Sequence, residues 1–355
     1  MKAKRVFLLG AGASHGARTP RPPLGTTLHQ YLIRYLKAAW DELKQLEDDD
    51  GTISSSVRDE LQKHLASTTS FEVLAGALQD SGNFQLLQKL NFLAACALAP
   101  PVNDDPRYDD AFIEKPDVYD RLLSHVFATC GSAKDISFIT LNYDCLLERA
   151  ICRYMEAVDG SAGLGCRCAL VNYMLPGYGG KVEVLKPHGS INWMPDILMG
   201  DGTLTENQPV PLTMRIRHDG SQSYKRIAVV DSPKHGESED VLIAYYAPRK
   251  WSKVNLDTLE IVRGIACERI SHAQEVTVIG VKLRSDPLDD PFLSRVQVLL
   301  QAKARKFSGS VTYVSPLRDD ALTAQAFDFS TQEVTFEEYV ELLERSWGSS
   351  GLSKA

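Results

Sequence analysis

The stretch Arg5-Val6-Phe7-Leu8-Leu9-Gly10-Ala11-Gly12-Ala13-Ser14-His15-Gly16 decides the fold. Four apolar residues in a row, entered from a charge and left through a glycine, predict a strand buried on both faces, as in a parallel sheet. The glycines at 10, 12 and 16 predict a tight turn after that strand. Glycine lets the backbone turn sharply and lets a diphosphate approach a helix N-terminus, where amides and dipole favour an anion. The third glycine falls one residue late for G-x-G-x-x-G, and no strand with an acidic end follows about 20 residues on. A strand-to-helix turn with no ligand explains the same glycines.

Working outward, a proline-rich loop, Pro20-Arg21-Pro22-Pro23-Leu24-Gly25, closes the first unit. From about 26 to 130 apolar residues recur at helical spacing, as in Leu28, Tyr31, Leu32, Tyr35 and again in Phe71, Leu74, Ala75, Leu78. Asp48-Asp49-Asp50-Gly51 and the stretch 100–116 interrupt it as loops. Ile136–Thr140, Val182–Lys186, Glu275–Gly280 and Ser310–Val314 predict further buried strands. Helices are expected from Leu146, over Leu256–His272, over Phe292–Lys306 and over Phe336–Arg345. Residues 196–250 are mixed and strand-prone, and Gly348–Ala355 is expected to be a frayed tail. Strands alternating with helices predict an α/β fold: a Rossmann-like, doubly wound, mostly parallel sheet with a helical insertion. The core is expected over 1–25 and 131–320, the insertion over 26–130, and a C-terminal helix and tail over 321–355.

Composition narrows the classes. The 355 residues are 44% hydrophobic and 24% charged, ordinary for a globular chain that buries a core without staples. A net charge of −7 argues against stand-alone binding to duplex DNA, so no direct nucleic-acid contact is expected. No apolar run approaches the roughly 18 residues of a membrane helix, and Val6–Leu9 is too short for a signal-peptide core. A cytoplasmic location is therefore expected. The seven cysteines, at 96, 130, 145, 152, 166, 168 and 267, are odd in number and irregular in spacing. That predicts reduced thiols rather than a disulfide framework. Cys166 and Cys168 form a C-x-C pair; C-x-x-C is absent, so no four-cysteine zinc site is expected.

Polar residues cluster just after the predicted strand ends, where such sheets bind ligands. Thr140-Leu141-Asn142-Tyr143-Asp144 places an amide and a carboxylate there. Asn142 could position a water or a ribose hydroxyl; Asp144 suits a helix cap as well as a ligand contact. Lys186-Pro187-His188-Gly189-Ser190 places a histidine beside a glycine, as for a general base with space next to it. Val278-Ile279-Gly280 leads to Ser285-Asp286-Pro287-Leu288-Asp289-Asp290-Pro291-Phe292, where ligand contact and an acidic helix cap are equally consistent readings.

As a set, G-A-G-A-S at 10–14, T-L-N-Y-D at 140–144, K-P-H-G-S at 186–190 and V-I-G-V-K-L-R-S-D at 278–286 resemble the sirtuin-like superfamily. The resemblance is to its divergent bacterial branch of NAD-hydrolysing anti-phage effectors, and spans about residues 4–300. It implies an NAD+ site in which Gly10, Ala11, Gly12 and Ser14 hold the diphosphate and adjacent ribose. Asn142 and Asp144 would lie by the nicotinamide ribose, His188 would be the catalytic base, and Gly280 and Ser285 would lie near the phosphates or adenosine. The family's deacetylases carry a zinc ribbon of two C-x-x-C pairs and a Pro-Asp-Phe-Arg run after the glycine turn. Both are missing from this sequence, which favours glycohydrolysis over acyl-lysine chemistry, with NAD+ as substrate and no zinc.

Cleaving the nicotinamide–ribose bond expels a neutral leaving group from an oxocarbenium-like ribose, so it needs a held ribose, a placed water and a base. Asn142 and His188 are the catalytic candidates. An NAD-dependent protein deacylase and a non-catalytic NAD or ADP-ribose sensor are the alternatives, and a nicotinamide dehydrogenase has only the glycine turn in its favour. An ungated NAD+ hydrolase would poison its own cell, so gating is expected; the resemblance implies that it comes by homo-oligomerisation or through a partner such as a short Argonaute or a DNA-translocating ATPase.

Overall fold

The computed structural model describes residues 4–17, 28–33, 55–68, 70–83, five positions between 86 and 98, 117–130, 132–159, 171–172, 181–190, 193–196, 213–215, 224–229, 256–283 and 290–351. The first strand, β1 (Arg5–Leu9), has Val6, Phe7, Leu8 and Leu9 buried, and it pairs in parallel on both sides. One neighbour is β2 (Ile136–Thr140), buried at every residue; the other is β8 (Glu275–Ile279). Beyond β2 lie β4 (Val182–Leu185) and the two-residue edge β3 (Val171–Asn172). Beyond β8 lie β9 (Val311–Val314) and β10 (Ser330–Gln332).

The resulting order is β10-β9-β8-β1-β2-β4-β3, and every pair in it is parallel. Without the short β3 this is the doubly wound Rossmann order, in which the chain winds outward from β1, returns to its other side, and winds outward again. The fold expected from the alternation of strands and helices is thus the fold observed. The switch point lies between β1 and β8. A separate three-stranded antiparallel sheet, β5 (Trp193–Asp196), β6 (Thr213–Arg215) and β7 (Tyr224–Val229), has the order β5-β7-β6.

Helices form two packed groups. α1 (Ala11–Ala17), α4 (Val118–Cys130), α5 (Leu146–Asp159) and the C-terminal α9 (Phe336–Gly351) pack together. α6 (Leu256–His272) packs on α7 (Pro291–Lys306). Right-handed crossovers taken in opposite directions across the sheet put these groups on opposite faces. α2 (Ser55–Ser67) and α3 (Phe71–Asp80) bury Leu61, Leu65, Phe71, Leu74, Ala75 and Leu78 outside the cluster that surrounds the sheet. The buried His29 ties into this helical piece through Nε2 and the Leu65 carbonyl, 2.6 Å apart.

Some elements differ from expectation. The glycine stretch after β1 is helical from Ala11, because tertiary packing outweighs the poor helix propensity of its glycines. α4, the last part of the stretch expected as insertion, packs into the sheet's own core. Helix α8 (Arg318–Ala326) and β10 carry no pattern that marked them in the sequence, and α9 continues through Gly351 into the expected tail.

Candidate functional site

Register places four chain segments level at the carboxyl edge of the sheet, because Leu9 is paired with both Thr140 and Ile279, and Ile139 with Leu185. Gly10, Leu141 and Gly280 therefore leave the sheet side by side, and the segment after β4 leaves next to the one after β2.

At the switch point the glycines pack on one another. A Cβ on Gly10 would sit 2.5 Å from the Gly280 carbonyl oxygen, and one on Gly12 2.8 Å from the Gly280 Cα. Gly280 has φ +63° and would drive a Cβ into Ala13 N and, at 2.5 Å, the Gly12 carbonyl carbon. Gly10 N–H donates to Ile279 O at 2.9 Å and Gly12 N–H to Gly280 O at 3.1 Å. These glycines are required by a backbone-on-backbone contact whether or not a ligand approaches. Gly16 meets α9, where a Cβ would lie 3.3 Å from the Phe336 Cβ.

Asn142 locks onto this junction from β2. Its Nδ2 donates to Gly10 O at 3.0 Å and to Ser14 Oγ at 2.8 Å. A carbonyl can only accept, so the amide orientation is settled, and both its hydrogens are used. Oδ1 makes no hydrogen bond among the described residues and remains as an acceptor. Ser14 continues the chain to Tyr119 of α4, Oγ to Oη 3.2 Å. Burial, reinforced by the Asp144 charge, pushes the Tyr119 phenol well above its ordinary range, so it stays neutral. Asp144 caps α5: its Oδ1 accepts from Leu146 N–H at 3.1 Å.

His188 sits in a tight turn after β4, where Gly189 takes φ +80° and its N–H donates to Lys186 O at 3.0 Å. The glycine serves that turn, and the histidine is 2% exposed rather than open. Its Nε2 lies 3.0 Å from Asp290 Oδ2, and Asp290 is equally buried. The other carboxylate oxygen caps α7, accepting from Phe292 N–H at 2.8 Å and Leu293 N–H at 3.2 Å, with Pro291 beginning the helix. One side chain thus caps a helix and orients a histidine. An acceptor carboxylate assigns the shared proton to Nε2, which leaves Nδ1 as the basic nitrogen. Phe292 meets the imidazole edge-on, centroids 6.1 Å apart.

Several residues of this region were not singled out as functional in the sequence. Asp290 stands there in a loop where a helix cap and a ligand contact read alike, with nothing to mark it as a histidine's partner. Lys186 is 0% exposed, with Nζ on Glu148 Oε1 at 2.8 Å and on the Asp144 carbonyl at 2.5 Å. Burial pulls its pKa down, but Glu148, Cys145 and Asp144 outweigh that, and the ammonium is held above its ordinary range. Arg263 of α6, 4% exposed, donates from Nε to Pro187 O at 3.0 Å; burial pulls its pKa below the ordinary range. Burial pushes the Cys145 thiol up to about 12, so it is no nucleophile. Ser285, Cys166 and Cys168 lie outside the described residues.

Gly10, Gly12, Ser14, Asn142 and Gly280 are thus joined directly, with Ala11 between the first two. Asp144 and His188 belong to the adjoining β2–β4 end, and Lys186 ties the two segments there. Among the described residues no helix is long and apolar enough to cross a membrane.

No family model matches this chain, and no curated protein matches it. Solved structures similar to it include a Sir2 homologue mutant with ADP-ribose, at 14% identity and TM-score 0.41, covering 99% of this chain and 95% of that one. A Sir2 homologue–NAD complex gives 15% identity and TM-score 0.40 over 98% and 91% of the two chains. A Sir2 complex with a p53 peptide and NAD+ gives 13% and 0.36 over 98% and 94%.

Proposed function

We propose that the protein is an NAD+ glycohydrolase, splitting NAD+ and water into nicotinamide, ADP-ribose and a proton. The observation that carries this reading is the buried His188–Asp290 pair at the end of β4, one strand from an Asn142 whose amide is pinned and whose Oδ1 is left to accept. The dinucleotide would lie across the switch point, its diphosphate toward Gly10–Ser14 and its nicotinamide ribose toward Asn142. The C1′–nitrogen bond breaks, its electron pair leaves with neutral nicotinamide, and C1′ gains oxocarbenium character. Asn142 Oδ1 accepts from a ribose hydroxyl or from the attacking water and so aligns it. The water oxygen bonds to C1′ and loses its proton to His188, and Asp290 stabilises the imidazolium. Asp144 supports the loop through its cap.

A hydrolase of this kind left ungated would drain its own cell of NAD+. We therefore read the protein as a gated effector, with the anti-phage role and the partner classes that its motif resemblance implies. Incubation with NAD+, with and without the protein encoded beside it, tests the reaction by nicotinamide release. His188→Ala and Asn142→Ala should each lower turnover by roughly 100-fold or more while the fold persists. No release from wild-type protein under any activating condition ends this reading; full activity in His188→Ala removes the base.

A further inference from the structure

We propose that Lys186 is a positioning residue, the strut that holds the Asn142 segment and the His188 segment in one geometry. This rests on the reading of those two residues as the reacting pair. Lys186 directly follows β4 and stands two residues before His188. Its acceptors all belong to the neighbouring segment: Tyr143 O at 3.5 Å, Asp144 O at 2.5 Å, and Glu148 Oε1 at 2.8 Å in the first turn of α5. Tyr143 is the residue after Asn142. Ser190, two residues beyond His188, repeats the stitch by donating to Tyr143 O at 3.4 Å. Arg263 holds Pro187 O from α6.

Stability alone is a poor reason for such a pair. A lysine and a glutamate buried this deeply lose their hydration, and apolar residues of like volume commonly serve as well or better. What an apolar side chain cannot do is hold two carbonyl oxygens and a carboxylate at fixed distances. The separation of the reacting groups depends on those distances, and about 1 Å of misplacement is worth roughly 100-fold in rate.

The test compares Lys186→Met with the double variant Lys186→Met/Glu148→Met. Four quantities are read: the unfolding midpoint, kcat and KM for nicotinamide release, and the NMR resonance of the His188 Nε2 proton. The single variant strands Glu148 and should melt early. The double variant should melt between the single variant and wild type, because the stranded carboxylate is gone while the Tyr143 and Asp144 carbonyls still lack the ammonium. Its kcat should be down roughly 10- to 100-fold, with KM within about threefold and the imidazole proton shifted or broadened. Wild-type kcat with an unmoved imidazole resonance in the double variant overturns the proposal. If that variant does not fold, Glu148→Gln keeps the volume and an acceptor. A smaller fall in kcat with a shifted resonance then supports the strut, and no change in either overturns it. Should wild-type protein release no nicotinamide, the hydrolase reading fails, while the imidazole resonance still reports on Lys186.

Discussion

Where β1 meets β8, three glycines bring two backbones together and leave no room for a side chain. Where β2 meets β4, the contact is made by buried polar side chains: Lys186 on Glu148 spans the two segments, and His188 beside it is held by Asp290, the cap of α7. The first junction is steric and tolerates nothing added. The second is electrostatic and tolerates nothing removed. A dinucleotide site at a switch point needs both, a close floor for the phosphates and a preorganised polar end for the chemistry.

The largest effect expected is at the steric junction. Gly280→Ala combines a left-handed backbone with a collision against the α1 backbone, which no rotamer relieves. It should cost about 4 kcal/mol or more, or yield no folded protein, by denaturant unfolding. A loss under about 1 kcal/mol would mean that the two backbones separate easily, and the contrast between the junctions would go.

Next comes the electrostatic junction. Asp290→Ala removes two cap bonds and the His188 partner, for about 2–3 kcal/mol. Asp290→Asn keeps an acceptor for the cap and should melt within about 1 kcal/mol of wild type. Its amide would donate to Nε2 and move the ring proton to Nδ1, so NAD+ cleavage should fall by roughly 1,000-fold. Asn at full activity would show that Asp290 matters to the helix alone.

This contrast also separates what the sequence reveals from what it hides. Steric features are local in sequence: Val6–Leu9 announces a central strand, and Gly10, Gly12 and Gly280 announce a close approach. Asn142 and His188 stand at strand ends, where position alone marks them. Buried polar pairs join residues far apart, as His188 to Asp290 and Lys186 to Glu148, and neither member reveals its partner. Lys186 after a strand looks like a solvated charge, and Arg263 interrupts the buried face of α6 formed by Leu259, Val262, Ala266 and Ile270. β10 is three residues long with no apolar run, so only its pairing with β9 identifies it.

A third polar cluster shows what happens when charges meet nearer the rim. Arg153 of α5 donates to Asp117 at 3.0 Å and to Asp120 at 2.7 Å. Burial first, and the Asp120 charge second, raise the Asp117 carboxyl to about 6, against the partial pull of Arg153. The folded chain keeps that proton up to about pH 6, while the unfolded chain releases it near pH 4. Stability should therefore fall as pH rises from about 4 to about 6, by about 1–2 kcal/mol given the sharing with Asp120, and level off above. Asp117→Asn should flatten that slope in thermal melts across the window. An identical slope in both proteins would place the burial penalty elsewhere.

The smallest effect sharpens the glycine side of the comparison. Gly264 lies within α6, and a Cβ there meets nothing within 4 Å. Its backbone needs no special conformation, so the glycine only adds freedom to the unfolded chain. Gly264→Ala should stabilise the protein by about 0.5–1 kcal/mol, read as a higher denaturation midpoint at unchanged slope. The same substitution at Gly280 and Gly264 would then have opposite signs, because the two sites differ in backbone conformation and in what a methyl group would strike. Destabilisation at Gly264 would instead place an unseen close contact on α6, beside the Arg263 that holds the His188 turn.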